Sequence, residues 1–262
     1  LAVLTALTAA LMFACGCDDD PKTPTIPDNS QWYTEAVDTA ELTGYFTSVA
    51  VDAAGLPHIV YLDGTRDDLN YADFDGSAWH LSVIDPDVSG KGSNTFTTIR
   101  IDGTGRLHVA YTNLLPGDLL YATSSNGSVW DIAEVDTAGN VGAFPSMDLD
   151  ASGAPYFCYG KTIDTVTGLY VAFLDEDSLF TRRELDTSGA VIFSSIAVDD
   201  DNVLHIVYQM DTYLSARLCY MTGSDYAWLR DTIAPPGTAL GQYSSIDLGA
   251  GGVPSVTYRT QD

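Results

Sequence analysis

The sequence predicts an all-β protein in which a unit of four short strands is repeated around a common axis. A fourteen-residue stretch, SVAVDAAGLPHIVY at 48–61, returns in related form at 98–111, 146–159, 195–208 and 245–258. The copies follow one another at intervals of about fifty residues, and no segment after residue 30 has the 3.6-residue period of an amphipathic helix. Four strands in each repeat of roughly 40–50 residues is typical of a β-propeller blade.

The chain opens with an apolar segment, LAVLTALTAALMFACGC at 1–17. It is shorter than the ~20 apolar residues of a membrane-spanning helix, and it has the pattern of a secretory signal. Small residues precede Cys15 and Cys17, as in the bacterial lipobox, where a cysteine carries the lipid. We predict a signal peptide and lipobox over 1–17, lipidated at Cys15 or Cys17, with an ordinary cleaved signal as the alternative. The segment lacks an initiator Met and a basic N-terminal region, so we expect the sequence to begin inside this signal.

Residues 18–31 are rich in Asp and Pro, which predicts an extended tether to a propeller over 32–262. The chain carries 36 acidic and 11 basic residues, a formal charge of −25, with 45% apolar residues. This apolar content is sufficient for a packed core, whereas the charge disfavours nucleic acid and anionic membranes as partners. We expect a protein of the bacterial cell envelope, lipid-anchored outside the cytoplasm, or a secreted one, which meets the membrane only through its lipid.

The first repeat contains four segments with strand character, namely SVAVD, PHIVYLD, LNYADF and WHLSVID. The turn between the first two reads DAAG, and later copies read DGTG, DASG and DDDN. In this turn we expect Asp to accept hydrogen bonds from backbone N–H groups and the last residue to adopt positive φ. Glycine adopts positive φ most easily and asparagine, here Asn202, second most easily.

In four of the five copies an aromatic residue followed six positions later by Asp marks the fourth strand, and in the fifth copy Trp228 is followed by Ala234. On this landmark the repeats lie near 32–78, 79–129, 130–179, 180–227 and 228–262. The domain thus begins with a lone fourth strand at Trp32 and reaches the second strand of the fifth copy at Tyr258. We predict four complete repeats with partial first and last ones. The protein is then either a five-bladed propeller as given or part of a larger propeller, and we expect that the sequence is truncated.

The repeat W-x4-[VIL]-D, S-x3-D-x2-G-x-P-H-I-x-Y, L-x-Y-A resembles the tandem repeats of uncharacterised secreted and lipoprotein β-propellers of bacteria. These are grouped with sialidase-like (BNR/Asp-box) and fucose-lectin-like propellers. The resemblance covers 32–258 and implies the propeller fold, which serves many functions. The Asp-box is kept only in part: DFDGSAW and SSNGSVW retain glycine three residues before Trp79 and Trp130, but Phe74 and Ser125 replace the acidic residue.

An aromatic residue lies two positions before the Ser or Thr that opens each hairpin. The five are Phe46, Phe96, Phe144, Phe193 and Tyr243. They belong to the face that carries the long, variable loops, where a rigid scaffold usually presents its binding residues. Two interpretations remain open: a ring of ligand-binding platforms near the axis, or apolar packing between neighbouring blades.

Other residue patterns give weaker indications. His58, His108 and His205 share one position on three blades, which would spread them around the ring, so we expect hydrogen bonding rather than metal binding. Asp runs such as 199–201 would suit Ca²⁺, although they lack the spacing of a calcium loop. We therefore predict no cofactor and no metal site, with Ca²⁺ as the one candidate ion. Cys158 and Cys219 lie in apolar strand patterns and are predicted to be buried free thiols.

A sialidase-type site needs three arginines converging on a carboxylate and a Tyr–Glu pair. The eight arginines of this chain occupy different repeat positions, and no nucleophile elbow or paired-carboxylate motif is found. We assign no catalytic residue and predict a non-catalytic binding or scaffold propeller whose ligand is an extracellular glycan or protein. The alternative is a sialidase-like glycoside hydrolase or a polysaccharide lyase.

Overall fold

The computed structural model describes residues 34–86, 88, 96–113, 117–163, 166–212, 215–224, 227–234 and 242–259. The cysteines predicted to carry lipid, Cys15 and Cys17, the tether and Trp32 lie outside these ranges. Within them the chain forms eighteen β-strands and no α-helix. The described part therefore contains no helix long and apolar enough to cross a membrane.

The strands form four antiparallel four-stranded sheets, each continuous in sequence, and one two-stranded sheet. Blade 1 contains β1 (Thr43–Val51), β2 (Pro57–Asp63), β3 (Asp68–Phe74) and β4 (Trp79–Asp85). Blade 2 contains β5 (Thr97–Ile101), β6 (Leu107–Asn113), β7 (Asp118–Ser124) and β8 (Asp131–Asp136). Blade 3 contains β9 (Asn140–Leu149), β10 (Pro155–Ile163), β11 (Val166–Leu174) and β12 (Phe180–Asp186). Blade 4 contains β13 (Ala190–Val198), β14 (Leu204–Thr212), β15 (Ser215–Ser224) and β16 (Ala227–Ala234), and the fifth sheet contains β17 (Gln242–Leu248) and β18 (Pro254–Arg259).

This architecture confirms the all-β propeller of four-stranded blades. The segments PHIVYLD and WHLSVID coincide with β2 and β4, and LNYADF with β3 to within one residue. The first strand starts earlier than the predicted SVAVD, because β1 continues through a register shift between Tyr45 and Ser48. Each blade begins one strand later than the sequence repeat, since every repeat opens with the fourth strand of the preceding blade.

The turn between the first and second strands has the predicted geometry. Asp52 Oδ1 accepts hydrogen bonds from the backbone N–H groups of Ala54 and Leu56 at 2.9 and 2.8 Å. Gly55 and Asn202 both adopt positive φ, at 81° and 60°. Asp102, Asp150 and Asp199 hold the equivalent turns in the same way. The Asp and Gly of the motif are therefore required by the turn itself.

Successive blades are joined by a repeated hydrogen bond, which we call the interblade latch. A tyrosine within the second strand donates its hydroxyl to the aspartate at the end of the fourth-strand segment of the preceding unit. The pairs are Tyr61–Asp38 (2.8 Å), Tyr111–Asp85 (2.6 Å), Tyr159–Asp136 (2.8 Å) and Tyr208–Asp186 (2.7 Å). In the fifth copy position 234 is alanine, and Tyr258 is exposed. Two landmarks of the sequence repeat thus act as partners across each blade interface.

Burial raises the pKa of the latch tyrosines well above the ordinary range. The hydroxyl groups therefore remain protonated at neutral and moderately alkaline pH and can donate to the carboxylates there. The apolar core lies on both sides of the latch and contains side chains of the first, second and third strands, among them Leu69, Ile99, Leu119 and Ile206, which are fully buried.

Gly127 shows how closely the blades approach one another. It has φ +70°, and a Cβ atom added there would lie 2.6 Å from Cε1 of Tyr71 in the preceding blade. Gly76 has the same place in its own repeat and φ +94°, with open space where its Cβ would lie. The two glycines therefore share a backbone requirement but differ in packing.

We expect Gly127→Ala to lower the free energy of unfolding by about 2–5 kcal/mol. This sums about 1–2 kcal/mol for a left-handed alanine and about 1–3 kcal/mol for overpacking against Tyr71. Gly76→Ala should cost only the first of these. Urea denaturation of both variants measures the difference, and equal losses would mean that contact between the blades does not constrain this position.

Candidate functional site

The five aromatic residues predicted from the repeat come together at the centre of the molecule. Successive ring centroids are 5.4 Å apart for Phe46–Phe96, 4.8 Å for Phe96–Phe144, 4.7 Å for Phe144–Phe193 and 4.4 Å for Phe193–Tyr243. Phe96 also reaches Phe193, one blade further on, at 6.4 Å. Equivalent residues of successive blades can touch one another in this way only near the axis. We call this cluster the aromatic basin.

The backbone turns these rings toward the axis through an unusual conformation. Phe46, Phe144, Phe193 and Tyr243 have φ between 51° and 56°, in the left-handed region that bulky residues rarely adopt. The sheet register shifts at the same position in blades 1 and 4 and in the fifth sheet. Each such residue costs about 1–2 kcal/mol. The positive φ therefore recurs at residues whose rings meet near the axis.

A belt of hydroxyl groups holds the bulges in place. Thr97 Oγ1 donates to the carbonyl of Phe46 at 2.6 Å. Thr97 directly follows Phe96, so the residue after the aromatic of one blade binds the backbone of the aromatic in the preceding blade. Ser194 and Ser244 repeat the contact with the carbonyls of Phe144 and Phe193. Ser48, Ser146 and Ser195 each accept the N–H of the next blade's inner strand at 3.2 Å. The Ser and Thr residues of the motif therefore fasten the inner strands together around the basin.

The basin is only partly covered. The four phenylalanines are half-buried, and Tyr243 is 64% exposed. Phe46 also packs against the core between blades 1 and 2. Its ring therefore contributes to packing between blades, the second interpretation of the sequence, and also lies in the cluster near the axis, as the first requires. Because the aromatic residues lie near or just before the start of each inner strand, the rings are at the end of the axis where the variable loops enter. The assignment of these residues to ligand binding stays a prediction.

The other end of the axis holds a charged pair. Arg100 Nε donates to Asp148 Oδ1 at 3.1 Å, and its Nη1 donates to the carbonyl of Ile99 at 3.0 Å. Asp148 Oδ2 accepts the N–H of Val198 at 2.9 Å. This arginine and this aspartate therefore bind the inner strands of blades 2, 3 and 4 to one another.

Other arginines take part in the blade interfaces. Arg182 Nε donates to the carbonyl of Val135 at 2.6 Å, and Arg230 Nη1 lies 2.9 Å from Asp186 Oδ2. Both are on outer strands. In the described ranges, no three His, Cys, Asp or Glu side chains are close enough together to hold a metal ion.

The repeated histidine has the hydrogen-bonding role that the sequence predicted. His108 Nδ1 lies 2.5 Å from the hydroxyl of Tyr121, and its Nε2 lies 3.3 Å from Asp102 Oδ2. Burial lowers the pKa of His108, so the neutral ring accepts from tyrosine and donates to aspartate. Burial alone would raise the pKa of Asp102, but hydrogen bonds led by that of Thr104 outweigh it and lower the pKa to about 2. His58 and His205 bind Tyr71 and Tyr220 in the same way.

Cys158 and Cys219 are both buried free thiols, which confirms that prediction. Burial raises the pKa of Cys158 to about 12, so it remains a neutral thiol. Among the features that sequence reasoning missed is a cleft between blades 3 and 4. The signal that could have revealed it is a departure from the repeat, since Tyr156 stands where three other copies have histidine.

Comparison with known proteins supports the fold. An ulvan lyase of polysaccharide lyase family PL25, bound to GlcA(1-4)Rha3S, matches with a TM-score of 0.58 and 14% identity over 84% of this chain and 61% of that chain. The Aleuria aurantia lectin in complex with Fucα1-6GlcNAc matches at 0.54 and 12% over 82% and 70%. An α-L-arabinofuranosidase from Lactobacillus brevis matches at 0.53 and 8% over 83% of each chain. No protein-family model and no curated protein matches this chain. Identities this low show a common fold alone.

Proposed function

We propose that this protein is a non-catalytic propeller that binds a glycan, and that the aromatic basin is its binding site. The observation that carries the proposal is the set of five partly exposed rings which meet at the axis on the loop-rich face. Flat apolar rings offer the C–H faces of a sugar a large contact area. The strained backbone that presents them is typical of a position retained for a purpose other than stability.

The charge of the chain favours a neutral glycan. At −25 the protein repels sulfated and uronate-rich polymers at long range. The basin itself is built of four phenylalanines and one tyrosine, and these provide no cation for a carboxylate or sulfate. Stacking on a neutral sugar chain therefore fits both the local and the long-range chemistry.

The solved structures supply an analogy. One of them is a lectin holding a fucosyl-GlcNAc disaccharide, and another is a lyase bound to a polysaccharide fragment. Propellers of this shape therefore accommodate sugars, although a fold alone does not determine a ligand.

Binding without catalysis is favoured over the hydrolase or lyase alternative by the state of the axial charges. Asp148 is engaged by Arg100 and by a backbone N–H group, which leaves it poorly placed to act as a general acid or base. The arginines described in the structure contact different blade interfaces and do not converge on one point.

A place in the cell envelope follows from the N-terminal sequence, and we include it in the proposal. A lipid on Cys15 or Cys17 with the tether of 18–31 would hold the basin away from the membrane surface. The mass of the mature N-terminus tests this part.

Tyr243 provides the test of the binding site, because it is the most exposed ring of the basin and its loss should leave the core intact. We expect a neutral oligosaccharide to be retained on a glycan array, and Tyr243→Ala to weaken it about tenfold, or about 1.4 kcal/mol. Leu229→Ala is the matched control, since Leu229 is 75% exposed on the outer strand of blade 4. The proposal would be refuted if the protein bound no neutral glycan on the array, or if calorimetry gave equal affinities for the two variants.

A further inference from the structure

A cleft of about 330 Å³ lies between blades 3 and 4, on the side of the tight turns and away from the basin. Blade 3 contributes Tyr156, Phe173 and Arg183, and blade 4 contributes Asp201, Asn202 and Trp228. Its volume is at the lower end of the ~300–1,000 Å³ that ligand pockets occupy. We refer to it as the interblade cleft.

The residues of this cleft depart from the repeat. Tyr156 pairs with Phe173 across the sheet, whereas the equivalent pairs in blades 1, 2 and 4 are His58–Asp73, His108–Thr123 and His205–Thr222. In the other blades a tyrosine of the third strand hydrogen-bonds the histidine, and in blade 3 Val171 stands at that position. The register shows the equivalence, because Val171 pairs with Cys158 in blade 3 and Tyr71 pairs with Val60 in blade 1. Blade 3 has therefore lost the His–Tyr–Asp arrangement of the other blades and gained two stacked rings in its place.

The cleft combines flat apolar surfaces with groups of both hydrogen-bonding types. Tyr156 and Phe173 stack at 5.9 Å with 29° between the rings, and the Arg183 guanidinium lies 5.0 Å from the Phe173 centroid. Trp228 packs from the opposite blade against the same core as Tyr156. The guanidinium donates and is held flat by its ring contact, while the carboxylate of Asp201 accepts and the amide of Asn202 does both.

We propose that the interblade cleft binds one neutral pyranose unit. Adjacent hydroxyl groups of a sugar both donate and accept, so they match a guanidinium and a carboxylate in one pocket, and the sugar's C–H face matches the aromatic rings. An anionic ligand would be opposed by Asp201 and by the charge of the whole chain. This site is separate from the aromatic basin and does not depend on the function proposed there.

The repeat itself supplies variants that remove the cleft without disturbing the fold. Phe173→Thr installs the residue that stands at this register in blades 2 and 4. The double variant Asp201→Ser/Asn202→Gly converts the turn DDDN to DDSG, close to the DASG of blade 3, and glycine suits the φ of +60° at position 202. Thr104→Ser, in the equivalent turn of blade 2, is the matched control.

The experiment follows the indole N–H signal of Trp228 by NMR while D-glucose, D-galactose, L-rhamnose or D-glucuronate is added to the full chain. We expect a saturable shift with at least one neutral sugar, and at least a tenfold weaker affinity in Phe173→Thr and in the turn variant, with the melting temperature and the Thr104→Ser control unchanged. Tyr243→Ala should leave this titration intact, so failure of the basin proposal is distinguished from failure of this one. No saturable shift with any neutral sugar, tighter binding of glucuronate than of every neutral sugar, or unaffected cleft variants would overturn the inference.

Discussion

Replacing Asp136 with alanine is expected to lower the free energy of unfolding by about 3–5 kcal/mol, the largest single-residue effect on stability that we predict. Asp136 is 1% exposed, and its Oδ2 accepts hydrogen bonds from the Tyr159 hydroxyl at 2.8 Å and from Lys161 Nζ at 2.7 Å. Arg182 Nε lies 3.7 Å from its other oxygen. Removal of the carboxylate would leave the buried ammonium of Lys161 without its counter-ion, and the ring of Tyr170, 5.3 Å away, is a weak replacement.

Two further variants separate the charge from the latch. Asp85→Ala removes the latch to Tyr111, where no Lys, Arg or His side chain of the described residues forms an ion pair with the carboxylate. It should cost only about 1–3 kcal/mol. Asp136→Ala/Lys161→Met removes both members of the buried pair and should recover most of the loss of the single variant. Urea denaturation gives all three values. If Asp136→Ala costs no more than Asp85→Ala, the buried ion pair is not what stabilises this interface.

The latch illustrates what the sequence can and cannot predict. The Tyr and the Asp were both visible as landmarks of the repeat, and the number and phase of the strands followed from them. Their pairing was not visible, because it joins the second strand of one blade to the fourth strand of the preceding one. The partner of Lys161 was invisible for the same reason, since Asp136 lies 25 residues away in the sequence and meets it only when two blades pack.

The candidate site was predictable in part. Five aromatic residues at one repeat position could be found by counting, and so could the face on which they lie. Their mutual contact could not, because it depends on a positive φ that Phe144 and Phe193 would not be expected to adopt. The interblade cleft was hidden by the regularity of the repeat, and only the replacement of histidine by Tyr156 marks it.

The second large effect concerns binding. The double variant Phe144→Gly/Phe193→Gly is expected to bind the glycan at least about a hundredfold more weakly. Each factor of ten in affinity corresponds to about 1.4 kcal/mol of binding free energy. These two rings occupy the middle of the basin, where they contact each other at 4.7 Å and connect Phe96 to Tyr243. Without them the remaining rings no longer form a continuous surface, so a sugar chain loses its central contacts.

Glycine is the right replacement because of the backbone. In an ordinary strand glycine is less stable than alanine by about 0.5–1 kcal/mol. At φ of 52° and 56° the order should reverse, since alanine retains the left-handed strain of about 1–2 kcal/mol per residue and glycine does not. The glycine variant should therefore be more stable than Phe144→Ala/Phe193→Ala, and this reversal checks that the bulge persists after the rings are removed.

A leucine pair supplies the matched control for ring character. Phe144→Leu/Phe193→Leu keeps apolar volume at the axis but removes the flat faces, so it should lose most of the affinity while it retains more of the stability than either small replacement. Calorimetry with the glycan identified on the array gives the affinities, and thermal denaturation gives the stabilities. Full affinity in the leucine variant would mean that the basin contributes apolar volume alone, and full affinity in the glycine variant would place the glycan site elsewhere on the propeller.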